Sequence, residues 1–219
     1  MRSAIAGKPS FSHIRLQLEA GETVRAEAGA MVSRAPAIKP RATWNGGFFT
    51  ALLLRFFGGE TLFVNWFTAE APGELVLTQP TPGDVLELDL DGNELCLTQG
   101  SLIAATAGID VGVSWAGFAS WIGGEGMVRL TVSGRGKVWM GGFGALVPVD
   151  VHSPLTIDTG HLVAYEPTIS LRTRLSGSIF TSLAGGEGLV MEASGPGRVW
   201  LQTRNIDAFA GWITPYLPG

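Results

Sequence analysis

Three glutamates at near-constant spacing are the first residues of this chain that could do chemistry. Glu60, Glu125 and Glu187 each close a Gly-Gly-Glu triplet and stand 65 and 62 positions apart. Three carboxylates converging on one axis would hold a hard cation, provided that the glycine turns point inward. The preferred expectation is blander: each carboxylate accepts hydrogen bonds from the backbone amides of its own turn. The histidines His13, His152 and His161 offer less. No two have the i, i+2 or i, i+4 spacing that brings imidazoles together on one strand or helix, as a cupin metal centre requires. His161 with Glu166 is the nearest imitation and supports only an alternative reading, a cupin-like metal-dependent enzyme. A lone cysteine, Cys96, excludes an intrachain disulfide and all-cysteine zinc sites. No nucleophile elbow, P-loop or strand-linked Gly-x-Gly-x-x-Gly occurs. Gly134-Arg135-Gly136 resembles a phosphate loop, but it returns as Gly195-Pro196-Gly197, the mark of a repeated turn. No catalytic, cofactor or metal residue is therefore assigned, and the chain is expected not to be an enzyme.

The elements that would position these residues are strands. Phe11 to Leu18 alternates, with Ile14, Leu16 and Leu18 on one side, the period-two pattern of a half-buried strand. Thr23 to Val32 follows as a second strand, and Ser33 to Gly47, with Pro36 and Pro40, reads as a loop. Asp84 to Leu90 alternates again, and Asp91-Gly92 is a tight-turn dipeptide. Gly29 and Gly100 fall at one place in the pattern, with Pro167 expected at the third, where a bend or bulge is predicted. Trp139 and Trp200 also coincide and, as strand tryptophans, are expected in a core rather than stacked on a base or sugar. The spacing predicts one β unit written three times, over 1–80, 81–148 and 149–205, with an apolar tail at 206–219.

Each unit carries an apolar stretch before its glutamate: Leu53 and Phe56, Phe118 and Trp121, Phe180 and Leu183. Their i, i+3 spacing fits one face of a short helical turn. They either seal the junction between units, the preferred expectation, or form a surface for a protein partner, another subunit or a membrane.

Composition narrows the function classes. Of 219 residues, 46% are hydrophobic and 16% charged, enough apolar material for a folded core. Acids outnumber bases 19 to 15, for a net charge of −4, which disfavours a nucleic-acid backbone as partner. The N-terminus lacks an apolar signal core, and the apolar run at 48–57 is about half the roughly 20 residues that span a bilayer. A cytoplasmic protein is expected, with peripheral membrane association left open.

The motifs together resemble a known family. Gly21-Glu22-Thr23-Val24 with Gly29-Ala30-Met31-Val32, the run at 58–63, Pro82-Gly83-Asp84, the run at 100–105, Gly160-His161-Leu162-Val163-Ala164 and the run at 195–204 keep their order over about residues 11 to 204. The chain is similar to the family of the yeast altered-inheritance-of-mitochondria protein twenty-four, whose bacterial and archaeal members form a domain of unknown function. The resemblance implies an all-β fold of three tandem modules like the tryptophan RNA-binding attenuation protein, a short double-stranded β-helix, around a pseudo-threefold. It also implies ring-like association, with a homotrimer favoured, and it supplies no catalytic residue. The expected function is a non-enzymatic scaffold or interaction protein that self-assembles into a ring. The alternatives are the cupin-like enzyme and, by fold analogy alone, a nucleic-acid-binding module.

Overall fold

The computed structural model describes residues 1–42, 64–115, 128–175 and 189–217. Over these residues the named strands pair antiparallel throughout. The first set comprises β1 (Arg2–Ala6), β2 (His13–Leu18), β3 (Thr23–Glu27), β4 (Met31–Arg34), β5 (Ile38–Ala42), β6 (Val64–Ala69) and β7 (Gly73–Thr78). A second set follows: β8 (Val85–Leu97), β9 (Leu102–Thr106), β10 (Ile109–Trp115) and β11 (Val128–Gly141). The third is β12 (Leu146–Val151), β13 (Leu155–Asp158), β14 (Leu162–Tyr165), β15 (Ser170–Leu175), β16 (Leu189–Ser194) and β17 (Gly197–Gln202). The chain then enters helix α1 (Ile206–Ile213), where the Asn205 side chain accepts from the amides of Asp207 and Ala208.

The pairing scheme recurs. In the first set β7 lies between β2 and β4, and β6 between β3 and β5. In the third, β17 lies between β12 and β14, and β16 between β13 and β15. In the second set β8 and β11 are long enough to take part in both kinds of pairing. Their ladder shifts register between Ser133 and Arg135, and β9 and β10 pair opposite ends of β11. Asp91-Gly92 is thus not a hairpin turn, as the dipeptide suggests. Gly92, at φ 87°, bends one continuous strand, because β11 stays paired beside it on both sides of the shift.

Ladder register aligns the three strand sets differently from the glycine pattern. Val32, Ile103 and Val163 are each skipped where β4, β9 and β14 pair with β7, β11 and β17, so all three strands bulge at the same place. Counting back from these bulges aligns Gly160, not Pro167, with Gly29 and Gly100. Pro167 instead follows β14, in the turn that leads to β15. The expected loop at 33–47 is likewise partly strand, for β5 occupies 38–42. Pro40 is tolerated there because β5 ends its sheet and needs no second row of donors.

As the alternation predicts, Ile14, Leu16 and Leu18 are buried. They share a core with Val24, Phe67, Leu75 and Leu77, and with Ile103 and Trp139 of the second set. A second core takes Val163 and Trp200 from the third set. Both tryptophans thus lie inside, each in the core of the set before its own.

One polar tie holds Trp139 in place: its indole Nε1 donates to Glu87 Oε2 over 2.8 Å. Lys137 Nζ is hydrogen-bonded to the same carboxylate. Burial raises the Glu87 carboxyl pKa, but the hydrogen bonds from Lys137, Ser3 and Trp139 outweigh it and hold the group below its ordinary 4.5. A carboxylate with a depressed folded pKa stabilises above its unfolded pKa and loses that contribution as pH falls through the folded value. Glu87→Gln should therefore cost about 1 kcal/mol at pH 7, with the gap to the parent closing below about pH 4. Urea titrations at the two pH values check this; a gap that persists in acid would assign the loss to packing.

Candidate functional site: two open sheet edges

Most of the residues singled out by spacing lie outside the described parts of the chain. Glu60, Leu53 and Phe56 fall in 43–63, Glu125, Phe118 and Trp121 in 116–127, and Glu187, Phe180 and Leu183 in 176–188. Their flanking strands are placed: Ala42 pairs with Asn65, Trp115 with Val128 and Leu175 with Leu189. The described residues on either side of each segment are therefore ladder partners of one another.

The histidines are not brought together. His161 Nδ1 lies 2.7 Å from the carbonyl oxygen of Gln202, His13 Nδ1 lies 3.5 Å from that of Phe11, and His152 is exposed. Glu166 accepts from the backbone amide of Arg198 at 2.9 Å. Among the described residues no three His, Cys, Asp or Glu side chains form a group that could hold a metal ion. No helix there is long and apolar enough to cross a membrane.

Of the strands that end a sheet, β4 and β13 are the two whose counterparts in the other sets are joined to a neighbouring set. β9 pairs with β3, placing Ala105 opposite Arg25 and Ala104 opposite Ala26. β14 pairs with β8 in the same way, placing Tyr165 opposite Cys96 and Ala164 opposite Leu97. Each junction joins two three-stranded halves into a six-stranded sheet: β8-β11-β9 with β3-β6-β5, and β12-β17-β14 with β8-β11-β10. Two halves are left over. One is β2-β7-β4, with β1 on its far side, and the other is β13-β16-β15. Among the described residues the outer edges of β4 and β13 have no partner strand.

Burial follows this pairing. Leu102, Ile103, Leu162 and Val163, in the strands that meet a neighbouring set, are at most 6% exposed. In β4 the corresponding Met31 and Val32 are 43% and 58% exposed, and Ser33 and Arg34 are exposed as well. Similar apolar residues at one position of one scheme thus have opposite environments, decided by whether a further set lies against them. The edge also carries donors. Because Ala35 N donates to Glu74 O, strand alternation turns the N–H and C=O of Arg34 away from β7, toward the open side. A bare edge of this kind is a template for strand addition. Sequence pattern misses it, since nothing local distinguishes Val32 from Ile103 or Val163; only the repeat register could have marked Val32 as the first of a series.

Comparison with known proteins agrees with the fold. The family described as Mitochondrial biogenesis AIM24 matches residues 3–204. An uncharacterized protein of Streptococcus pyogenes serotype M6 is 27% identical over 227 residues, spanning 100% of this chain and 92% of that protein. The crystal structure of a Streptococcus pyogenes protein, solved as a structural-genomics target, superposes with a TM-score of 0.81 at 25% identity, covering 99% of both chains.

Proposed function

The chain belongs to the Mitochondrial biogenesis AIM24 family, and on that premise we propose that it is a non-enzymatic scaffold whose copies join head to tail. The chain is read as three copies of one six-strand module, each lending its third strand to the module before it. Among the described residues no strand set stands before the first module or after the third. β4 of one copy then adds to β13 of the next, completing the third six-stranded sheet. Such a contact is heterologous, and it closes into a ring when the rotation permits. The family resemblance favours closure after three chains. The observation that carries this reading is the exposure of Met31 and Val32, whose counterparts in β9 and β14 are buried.

The in-chain junctions fix the expected register. Transferring the Arg25–Ala105 and Cys96–Tyr165 pairs to the open edges sets Arg34 opposite Thr156 of a second copy, with Cα atoms about 5.5 Å apart. That separation suits a disulfide. A chain carrying both Arg34→Cys and Thr156→Cys should form disulfides between chains under mild oxidation, seen as a ladder or closed oligomer on a non-reducing gel. Loss of the Arg34 hydrogen bond to Ile38 O, 2.7 Å long, costs about 1 kcal/mol, too little to unfold the chain. Cys96 is buried and should stay out of the exchange. An intrachain disulfide, or monomers with free thiols at high protein concentration, would remove the proposal.

A further inference from the structure

Most of the large apolar side chains left bare among the described residues lie at the two ends of the chain: Phe11, Met31 and Val32 in the first set, and Phe209, Trp212 and Tyr216 after β17. The second group forms an aromatic series. Phe209 meets Phe143 edge-on with ring centroids 5.7 Å apart, and Trp212 and Tyr216 follow at 6.0 Å steps. Trp212 is 64% exposed and Tyr216 75%.

Two in-chain contacts indicate what would arrive beside this series. The first is a row of strand starts: Phe11 bridges Gly83, which bridges Gly144. Ser12 N donates to Gly83 O, and Asp84 N to Gly144 O. Phe143 adjoins the last member of that row, and the next place in head-to-tail order belongs to residue 11 of another copy. Ala145 N is already satisfied by Thr203 Oγ1 at 2.9 Å, so the backbone row stops there and contact falls to side chains. The second is the neighbourhood of Gly141, where an added Cβ would lie 1.7 Å from Gln79 Oε1 and 2.8 Å from Ile103 Cδ1. The bulge residue of β9 thus sits beside the segment that follows β7. After β17 the corresponding segment is Thr203 to Asn205 leading into α1, and the corresponding bulge residue is Val32 of another copy.

We infer that the aromatic face of α1 is a docking surface for the first strand set of a second copy, receiving its Phe11 and Val32. This rests on the head-to-tail reading above. It gives a role to a helix that buries none of its residues within its own chain, and it covers the 74% exposed Phe11.

The test is a dilution series of the full chain by sedimentation velocity. Phe209→Ser with Trp212→Ser should raise the dissociation constant between copies about 100-fold, the scale of an aromatic hot spot. Melting of the dissociated chain should fall by only a few degrees, from the lost Phe209–Phe143 ring contact. Phe11→Ser should weaken assembly comparably, and combining all three should add little to the larger single effect. Trp212→Phe should retain most of the affinity. Parental dissociation in the double variant, or losses from the two faces that multiply independently, would overturn the inference. So would Trp212-dependent flotation with neutral phosphatidylcholine vesicles at unchanged assembly, which would assign the face to lipid. If the chain carrying Arg34→Cys and Thr156→Cys still forms its interchain disulfides, only this inference falls; if the parent chain is monomeric and no such bond forms, the head-to-tail reading falls with it.

Discussion

Val32→Lys is expected to leave the chain folded and to dissolve its assembly. In the isolated chain the position is 58% exposed, so an ammonium there stays in water and the melting temperature should shift by less than the equivalent of about 0.5 kcal/mol. In the head-to-tail junction the same position would be as closed as that of Ile103 or Val163, each 1% exposed. Burying an unpaired charge there costs several kcal/mol, which weakens association by a factor on the order of 10³. Inward-pointing lysine is also the device by which natural sheets keep bare edges apart. Light scattering over a concentration range decides the matter. A variant that keeps the parental mass at micromolar concentration would show that β4 is not the contact.

Trp139→Ala tests the opposite kind of residue, one buried within a single chain. The indole is fully buried in the core shared by the first and second sets. Its removal leaves a cavity and strips the Glu87 carboxylate of one donor, for a loss of about 3 to 5 kcal/mol. At about 2 to 4 °C per kcal/mol for a chain of this size, the melting temperature should fall by roughly 10 °C. Thermal melts followed by circular dichroism give the value. A drop of only 1 or 2 °C would mean that the two sets do not depend on that core.

The strands themselves were legible where pattern is local. Period-two alternation marks β2 and the start of β8, and the coincidence of Trp139 with Trp200 marks one core position twice. Legibility fails where the deciding interaction is distant in sequence. β5 hides behind Pro36 and Pro40, because a proline at a sheet edge costs little but reads as a break. Pro167 attracts the third bulge in the alignment, although Gly160 two residues before Leu162 matches Gly29 before Met31 and Gly100 before Leu102. The exchange of strands between sets leaves no local trace, since Val32, Ile103 and Val163 are similar residues in similar surroundings along the chain. The Gly-Gly-Glu turns and the paired apolar residues before them lie in segments that the described structure does not cover, so Glu60, Glu125 and Glu187 keep the reading that their spacing gave them.

The length of β8 and β11 has a mechanical consequence. An array of repeats ordinarily frays from its ends, one unit at a time, because each unit touches only its neighbours. Here the two long strands of the middle set run through both six-stranded sheets, so the middle cannot loosen without tearing the ladders on either side. Under load or heat such a chain should hold until those shared strands part and then give way as one block.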